Sequence, residues 1–362
     1  MQREKHDVVI FGSGPAALSL ALFLNKHKVD VAVAITNPLK SFWKYDITQS
    51  AGVSDVINEL GVHPILDTKK AVLQYKKNVA GTEYKEISDL YFKRYSEDSL
   101  DSSLFSKLIK ASIPFYVVDD SFEISSVDGK NVKEITARLK SGDKLLFKSD
   151  VLVLAGGSEM RLPKNLRYTE KVFSRFYGEG IVTQGHLFDE TRIVFDNNLF
   201  PGGYLYAGST SDETFFCAVS SVGNPEFLKQ YPSFLSTLFQ ESFEGDIKTI
   251  FSGVGVSGYR FSEYSNLFFI GGAAFLHDPI FGYGLNYALL SAHILSRAIV
   301  LDNFSLFTNF YEKTVSQFND MLSFKSILRD PEEAELKKLF SLLSGEPVED
   351  DKINSFYDLF LS

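Results

Sequence analysis

The chain has 362 residues, of which 44% are hydrophobic, and this length suffices for two domains or for one large interleaved unit with a buried core. Its net charge of −9 argues against a nucleic-acid partner, because binding phosphates requires a basic face. One cysteine, Cys217, excludes both a disulfide framework and a thiolate metal site, and the six histidines lack the spacing of a metal site.

The first 35 residues predict a strand, a tight turn, a helix and a second strand, with the strands at residues 7–11 and 29–35. The turn, GSGPAA at residues 12–17, fits the dinucleotide-binding pattern G-x-G-x-x-[G/A]. Its first glycine allows the tight turn, and its second leaves the backbone open to a pyrophosphate. Free amides and the dipole at the helix start attract the phosphates. The predicted contacts are Gly12, Gly14, Pro15, Ala16 and Ala17.

The acidic residue that usually follows the second strand and binds the adenosine ribose is absent. Ile35 stands near the expected position and Thr36 follows it, so only neutral contacts are expected there. A second G-x-G-x-x-G, at residues 253–258, is followed by no helical pattern, and we interpret it as a fortuitous match.

The charged head and apolar stretch of the N-terminus resemble a secretory signal, but Gly12, Gly14 and Pro15 interrupt the apolar run. No segment reaches the roughly 20 unbroken apolar residues of a membrane span. We therefore expect a cytoplasmic protein without a transmembrane segment.

The middle of the chain predicts mostly strands. A hairpin with its turn at Ala80-Gly81 is followed by a serine-capped helix at residues 99–111 and a meander that ends in VLVLAGG. From Arg192 the patterns again favour strands, apart from a helical stretch at residues 224–242, and after residue 304 the chain is predicted to be helical.

Residues 266–290, NLFFIGGAAFLHDPIFGYGLNYALL, predict a strand, a turn of small residues, a loop with Asp-Pro and two spaced glycines, and an apolar helix. With the N-terminal unit and the meander ending in VLVLAGGSEMR, this stretch resembles the FAD enzymes of the para-hydroxybenzoate hydroxylase fold group. That group includes aromatic monooxygenases, geranylgeranyl reductases, lycopene cyclases and flavin-dependent halogenases. The segment DPIFGYGLNYALLSA is most similar to the reductase and halogenase branches.

The resemblance implies an α/β fold in which a Rossmann-type FAD-binding domain is interleaved with a β-rich substrate domain and followed by a helical C-terminal segment. The FAD-binding domain would comprise residues 1–68, 89–162 and 250–305, the substrate domain residues 69–88 and 163–249, and the C-terminal helices residues 306–362. It also implies cofactor contacts along the glycine-rich turns and the loop before the last helix of the FAD domain: Gly156, Gly271, Gly272, Asp278, Pro279, Gly282, Gly284 and Leu285.

Gly272 departs from the resembled group, whose members normally carry an aspartate there that binds the ribityl chain. With the missing acid near Ile35, this absence of two charged hydrogen bonds costs about 3–6 kcal/mol of binding in total. Either FAD binds through phosphates and backbone, or the fold has lost its cofactor. We favour retained FAD, and we expect Gly272→Asp to tighten its binding.

The chemistry stays open between oxygenation, halogenation and reduction, because Trp43 is the only tryptophan and Lys76 and Lys77 are weak matches to the halogenase lysine. Candidate catalytic residues are His277, as a general acid–base in the flavin loop, together with Tyr204, Tyr206 and Tyr283. Core packing explains Tyr204 and Tyr206 at least as well, a role in capping a turn explains His277 equally well, and Tyr283 either covers the flavin ring or points to solvent.

We therefore expect an FAD-dependent oxidoreductase acting on an apolar or aromatic small molecule, free or carrier-bound, with NAD(P)H or a flavin reductase as the electron source. The alternative is a non-catalytic or redox-neutral protein that retains the flavoprotein fold with weak or lost FAD binding.

Overall fold

In the computed structural model the described residues are 2–35, 44–49, 52–68, 70–75, 78–83, 89–94, 97–163, 165–196, 199–222, 247–322 and 338. They form one six-stranded, one seven-stranded and one three-stranded sheet, with helices packed against them. The predicted α/β class is confirmed.

The strands are β1 (Gln2–Phe11), β2 (Val31–Ile35), β3 (Tyr45–Gln49), β4 (Leu66–Thr68), β5 (Lys70–Tyr75), β6 (Asn78–Glu83), β7 (Asp89–Lys93), β8 (Phe115–Asp128), β9 (Asn131–Leu139), β10 (Lys144–Leu154), β11 (Tyr168–Gln184), β12 (Thr191–Phe195), β13 (Tyr204–Ser209), β14 (Glu213–Ser220), β15 (Ile247–Ser262) and β16 (Leu267–Phe269). The helices are α1 (Pro15–Lys26), α2 (Ser54–Leu60), α3 (Leu100–Lys110), α4 (Leu285–Val300) and α5 (Ser305–Leu322), and a 3₁₀ helix spans Gly271–Ala274.

The six-stranded sheet carries the predicted nucleotide-binding unit. Strands β8, β2, β1, β10 and β16 run parallel in that spatial order, and β9 pairs antiparallel with β8 and β10. In this register Phe11 lies beside Ala34 on one side and Leu154 on the other, so these strands end at one edge. The crevice beyond the carboxyl ends of parallel strands is where such sheets bind ligands.

Small residues let α1 and α4 approach each other on one face of this sheet. A Cβ atom placed on Gly271, whose φ is +55°, would lie 3.0 Å from the Cβ of Ala16 and 3.3 Å from the Cα of Ala288. Gly271 therefore serves the packing of the two helices. Helix α3 begins as predicted, because the Ser99 hydroxyl accepts a hydrogen bond from the Ser102 amide at 3.2 Å.

The seven-stranded sheet has the order β15-β11-β14-β13-β12-β5-β6. Strand β15 pairs antiparallel with β11 along its length, so residues 250–262 belong to this sheet, whereas the sequence division placed them in the FAD-binding domain. The second glycine pattern lies inside β15, as a strand rather than a phosphate-binding turn.

The predicted hairpin near residue 80 is wrong in its register. Tyr75 pairs with Asn78 and Leu73 pairs with Ala80, so Ala80 lies within β6 and not in the turn. An Ala-Gly pair is compatible with a strand as well as a turn, and only the pairing with β5 settles which one forms. The predicted helix at residues 224–242 and most of the chain after residue 322 lie outside the described residues. Among the helices that are described, none is both long and apolar enough to span a membrane.

Candidate functional site

A cavity of about 610 Å³ lies between the two large sheets, at the edge where the parallel strands end. It is lined by residues 13–16 of the first turn, residues 155–161 after β10, residues 253–255 of β15 and residues 281–285 before α4. At its other end it is lined by side chains of the seven-stranded sheet. The cavity thus joins the two glycine-rich turns, as sequence reasoning required of a flavin site.

The two glycines of the first turn have different roles. Gly12 has a φ of +151°, and a Cβ there would lie 2.5 Å from the carbonyl oxygen of Ala155, so the fold itself requires glycine. Gly14 has an ordinary φ of −89°, and a Cβ there would meet no atom within 4 Å. Gly14 lines the cavity, and it is the N-cap of α1 without a side-chain cap, so no N-cap side chain satisfies the amides of the first turn.

Asp278 shapes the loop before α4. Its carboxylate accepts hydrogen bonds from the amides of Ile280 at 2.8 Å, Phe281 at 2.7 Å and Tyr283 at 3.0 Å. Burial raises the pKa of Asp278 to about 6, although these hydrogen bonds act to lower it. The side chain is 4% exposed and does not line the cavity, so Asp278 holds the backbone that does.

Helix α4 begins where this loop ends. Gly284 is its N-cap without a side-chain cap, and both Gly284 and Leu285 line the cavity. The starts of α1 and α4 therefore face the same space, and their dipoles favour negative charge at two separate points of it.

His277 lies beside this second helix start. Its Nδ1 is 3.0 Å from the carbonyl oxygen of Val256, and its half-buried ring lines the cavity. Burial lowers the pKa of His277 to about 4, while the contact with Val256 acts to raise it. The imidazole is therefore neutral at ordinary pH.

The far end of the cavity is aromatic. Tyr204 and Tyr206 project from β13 to the same side, with ring centroids 6.1 Å apart. The hydroxyl of Tyr204 donates to the carbonyl of Phe281 at 2.5 Å, and that of Tyr206 donates to the carbonyl of Tyr45 at 3.2 Å. Burial raises the pKa of Tyr206 well above its ordinary value. Both hydroxyls are therefore tied to backbone carbonyls, and the structure also places Tyr283 on the wall.

Sequence reasoning missed an ion-pair cluster on the cavity wall. Arg94, directly after β7, donates to both carboxylate oxygens of Asp101, with its Nε 2.7 Å from one of them, and it also contacts Asp46. Arg94 and Asp46 line the cavity. Burial raises the pKa of Asp46, and the neighbouring guanidinium opposes that shift. The sequence around Arg94 has no feature that distinguishes this arginine from the other lysines and arginines of the chain.

Several residues predicted to contact the cofactor do not line the cavity. Ile35 is buried in the core beneath α1, because it belongs to a strand covered on both faces. Ala17 packs in the same core, Gly12 fits against Ala155, and Gly271 fits between Ala16 and α4. Asp278 and Pro279 belong to the part of the loop that does not line the cavity, and the Pro279 carbonyl accepts a hydrogen bond from the Ser174 hydroxyl at 3.5 Å. Thr36 and Trp43 lie outside the described residues.

The predicted residues that the structure brings together on the cavity wall are Gly14, Pro15, Ala16, Gly156, Gly272, Gly282, Gly284, Leu285, His277, Tyr204, Tyr206 and Tyr283. Gly253 and Gly255 of the second glycine pattern join them, although the pattern forms no nucleotide-binding turn. At these two positions β15 has no side chain that would occupy the cavity.

No protein-family profile matches this sequence. The chloroplastic neoxanthin synthase of Solanum tuberosum is 27% identical over 241 residues, which cover 63% of this chain and 44% of that protein. The chromoplastic capsanthin/capsorubin synthase of Capsicum annuum is 27% identical over 245 residues, which cover 64% of this chain and 44% of that protein. The chain thus spans less than half the length of these relatives.

Solved structures match over nearly the whole chain. A geranylgeranyl bacteriochlorophyll reductase-like protein from Thermoplasma acidophilum superposes with a TM-score of 0.74 at 16% identity, covering 98% of this chain and 96% of that one. A flavin-dependent brominase gives 0.70 at 17% identity, with 99% and 98% covered. The p-nitrophenol 4-monooxygenase of Pseudomonas putida gives 0.68 at 15% identity, with 100% and 98% covered.

At these identities the likeness establishes the fold. The chain has the α/β fold shared by flavin-dependent oxidoreductases of the para-hydroxybenzoate hydroxylase group, and the resemblance seen in the sequence is confirmed at that level.

Proposed function

We propose that this protein binds FAD in the cavity between its two large sheets and is an FAD-dependent oxidoreductase acting on an apolar or aromatic small molecule. The observation that carries the proposal is the continuity of one cavity from the open amides of α1, past the start of α4, to the aromatic end at Tyr204 and Tyr206. Such a cavity accommodates a phosphate-bridged dinucleotide at one end and an apolar reactant at the other.

The residues present fit FAD at its phosphates. Gly14 leaves a space that a Cβ would fill, directly before the uncapped first turn of α1, and this is where a pyrophosphate is held in such units. The amides at Gly284 and Leu285 would stabilise negative charge on the flavin ring system. Ribose recognition by an acid after β2 does not fit, because Ile35 is buried in the core.

When bound, FAD supplies the electron-transfer chemistry, and the protein supplies binding, orientation and exclusion of water. Phe176, Val219 and Phe281 add apolar walls beside the two tyrosines, which favours a dry reaction space. Asp46 and Arg94 also line the cavity, and their pairing keeps that part of the wall near neutral.

The reaction is of the monooxygenase, halogenase or reductase type, with electrons from NAD(P)H or from a flavin reductase. No lysine within the described part of the chain lines the cavity. The two lysines considered for a halogenase, Lys76 and Lys77, lie outside the described residues.

Titration of the purified protein with FAD, followed by quenching of flavin fluorescence, tests the proposal. We expect saturable one-to-one binding and bleaching of the bound flavin on anaerobic addition of NADH, NADPH or a flavin reductase with its reductant. A protein that gives no saturable signal with FAD refutes the proposal.

The second candidate is a non-catalytic or redox-neutral protein on the same fold. It is favoured by one specific observation, namely that neither Ile35 nor Gly272 offers a carboxylate to the nucleotide. Colourless protein that does not respond to added FAD would support it.

A further inference from the structure

The imidazole of His277 packs against three glycines from separate segments of the chain. Gly255 comes from β15, Gly272 from the 3₁₀ helix and Gly284 from the start of α4. A Cβ on Gly284 would lie 2.5 Å from Nε2 of the ring, one on Gly255 would lie 3.3 Å from Cδ2, and one on Gly272 would lie 3.3 Å from Cε1. The ring therefore uses space that side chains at these positions would fill.

The hydrogen bond of the ring fixes which nitrogen is available. The carbonyl of Val256 can only accept, so Nδ1, at 3.0 Å, carries the proton. In a neutral ring Nε2 is then an acceptor. No described residue donates a hydrogen bond to Nε2, and all three glycines beside it line the cavity.

A side chain at position 272 would crowd this imidazole. A Cβ on Gly272 would lie in tight contact with Cε1 of the ring at 3.3 Å and with the amide nitrogen of Ser158 at 3.2 Å, so either the ring or the backbone would have to shift by a few tenths of an ångström. An aspartate at position 272 and the ring of His277 therefore compete for the same space.

We propose that His277 binds the cofactor's polyol arm, with Nε2 accepting a hydrogen bond from a ribityl hydroxyl of FAD. This inference rests on the proposed function, because Nε2 of His277 can bind the ribityl arm only if FAD occupies the cavity. The ring replaces a charged acceptor by a neutral one, held in place by Val256 and by the three glycines.

The test is a set of FAD titrations on full-length variants. His277→Leu removes the acceptor at similar volume and is expected to raise the Kd for FAD about tenfold. His63→Leu, the same replacement at an exposed histidine, is the matched control and is expected to leave the Kd unchanged. ADP carries the pyrophosphate but no ribityl chain, so its Kd should be unaffected by His277→Leu.

Gly272→Asp provides the second arm. In the presence of His277 it is expected to weaken FAD binding, because the new side chain and the ring compete for one space. In the double variant Gly272→Asp/His277→Ala the same aspartate is expected to tighten FAD binding relative to His277→Ala alone. This reversal of sign is a coupling that loss of folding would not produce, and urea unfolding of each variant verifies that it is folded.

The outcomes separate the two proposals. Wild-type protein that shows no saturable FAD binding refutes the proposed function. Wild-type protein that binds FAD, with a Kd unchanged by His277→Leu, refutes only the role of His277, as does a Gly272→Asp variant that binds FAD more tightly than wild type. Equal loss of FAD and ADP binding in His277→Leu also refutes it, because the ring would then act on the whole cavity.

Discussion

Replacing Gly14 by alanine tests the nucleotide-binding turn without disturbing the fold. The backbone of Gly14 has φ −89° and ψ −177°, which any residue adopts, and a Cβ there would meet no protein atom within 4 Å. The added methyl group would therefore stand in the cavity, in front of the first turn of α1. Its effect should appear in ligand binding and not in stability.

Two opposing terms set the expected change in stability. Alanine is a poorer N-cap than glycine, which costs about 0.5–1 kcal/mol. Alanine also lowers the entropy of the unfolded chain, which stabilises the fold by about 0.4–1 kcal/mol. The net change in the free energy of unfolding should stay within about 1 kcal/mol of zero. The loss of one charged hydrogen bond to the pyrophosphate is worth about 1.5–3 kcal/mol, or about 10- to 100-fold in the Kd for FAD.

Gly12→Ala is the matched comparison. Its Cβ would overlap the Ala155 carbonyl oxygen, and its φ of +151° is strained for any other residue, so it should lose about 1–3 kcal/mol of stability. Urea unfolding followed by circular dichroism measures stability, and quenching of FAD fluorescence measures binding. Wild-type affinity for FAD in Gly14→Ala, or a loss of stability there as large as in Gly12→Ala, would refute the reasoning.

Asp278→Asn should lower the free energy of unfolding by about 1–3 kcal/mol at pH 4, because an amide nitrogen would face the Tyr283 amide; an unchanged urea midpoint at that pH, below the pKa of the folded carboxyl, would contradict this. Asp278, with its folded pKa raised from 3.8 to about 6, contributes stability that is full below pH 3.8 and lost as pH rises through 6. His277, with its pKa lowered from 6.5 to about 4, contributes stability that is full above pH 6.5 and lost as pH falls through 4. The two terms oppose each other between pH 4 and 6, so stability in Asp278→Asn should rise with pH across this window more steeply than in wild type, as urea midpoints will show. Tyr204→Phe should cost about 1 kcal/mol, because the Phe281 carbonyl loses its donor, and an unaltered unfolding curve would argue against that bond.

The local features of the site could be predicted from the sequence because backbone geometry enforces them. A strand that meets Gly12 and Gly14 and is followed by Pro15 leaves few alternatives to a tight turn and a helix start. The loop before α4 was recognisable for the same reason, since Asp278 caps its own loop through amides two to five residues away. Interactions over such short separations leave a readable pattern.

Contacts across the molecule left no such pattern. The turn of the hairpin β5–β6 was misplaced because only pairing fixes the register, and Gly253 and Gly255 reach the cavity only because β15 pairs with β11. Arg94 pairs with Asp46, 48 residues away, and with Asp101, seven residues away, and no sequence pattern marks either pairing.

By itself, the sequence determined that two strands each lead through a glycine-rich turn into the start of a helix. The backbone angles of such a turn and the free amides of the helix start depend on only a few adjacent residues. The tertiary structure alone decided that both starts face one cavity, and that the imidazole of His277 fills the space left by three glycines from different segments. Such fits depend on how distant backbones approach each other, and that distance is set by the packing of the two sheets and of α1 against α4.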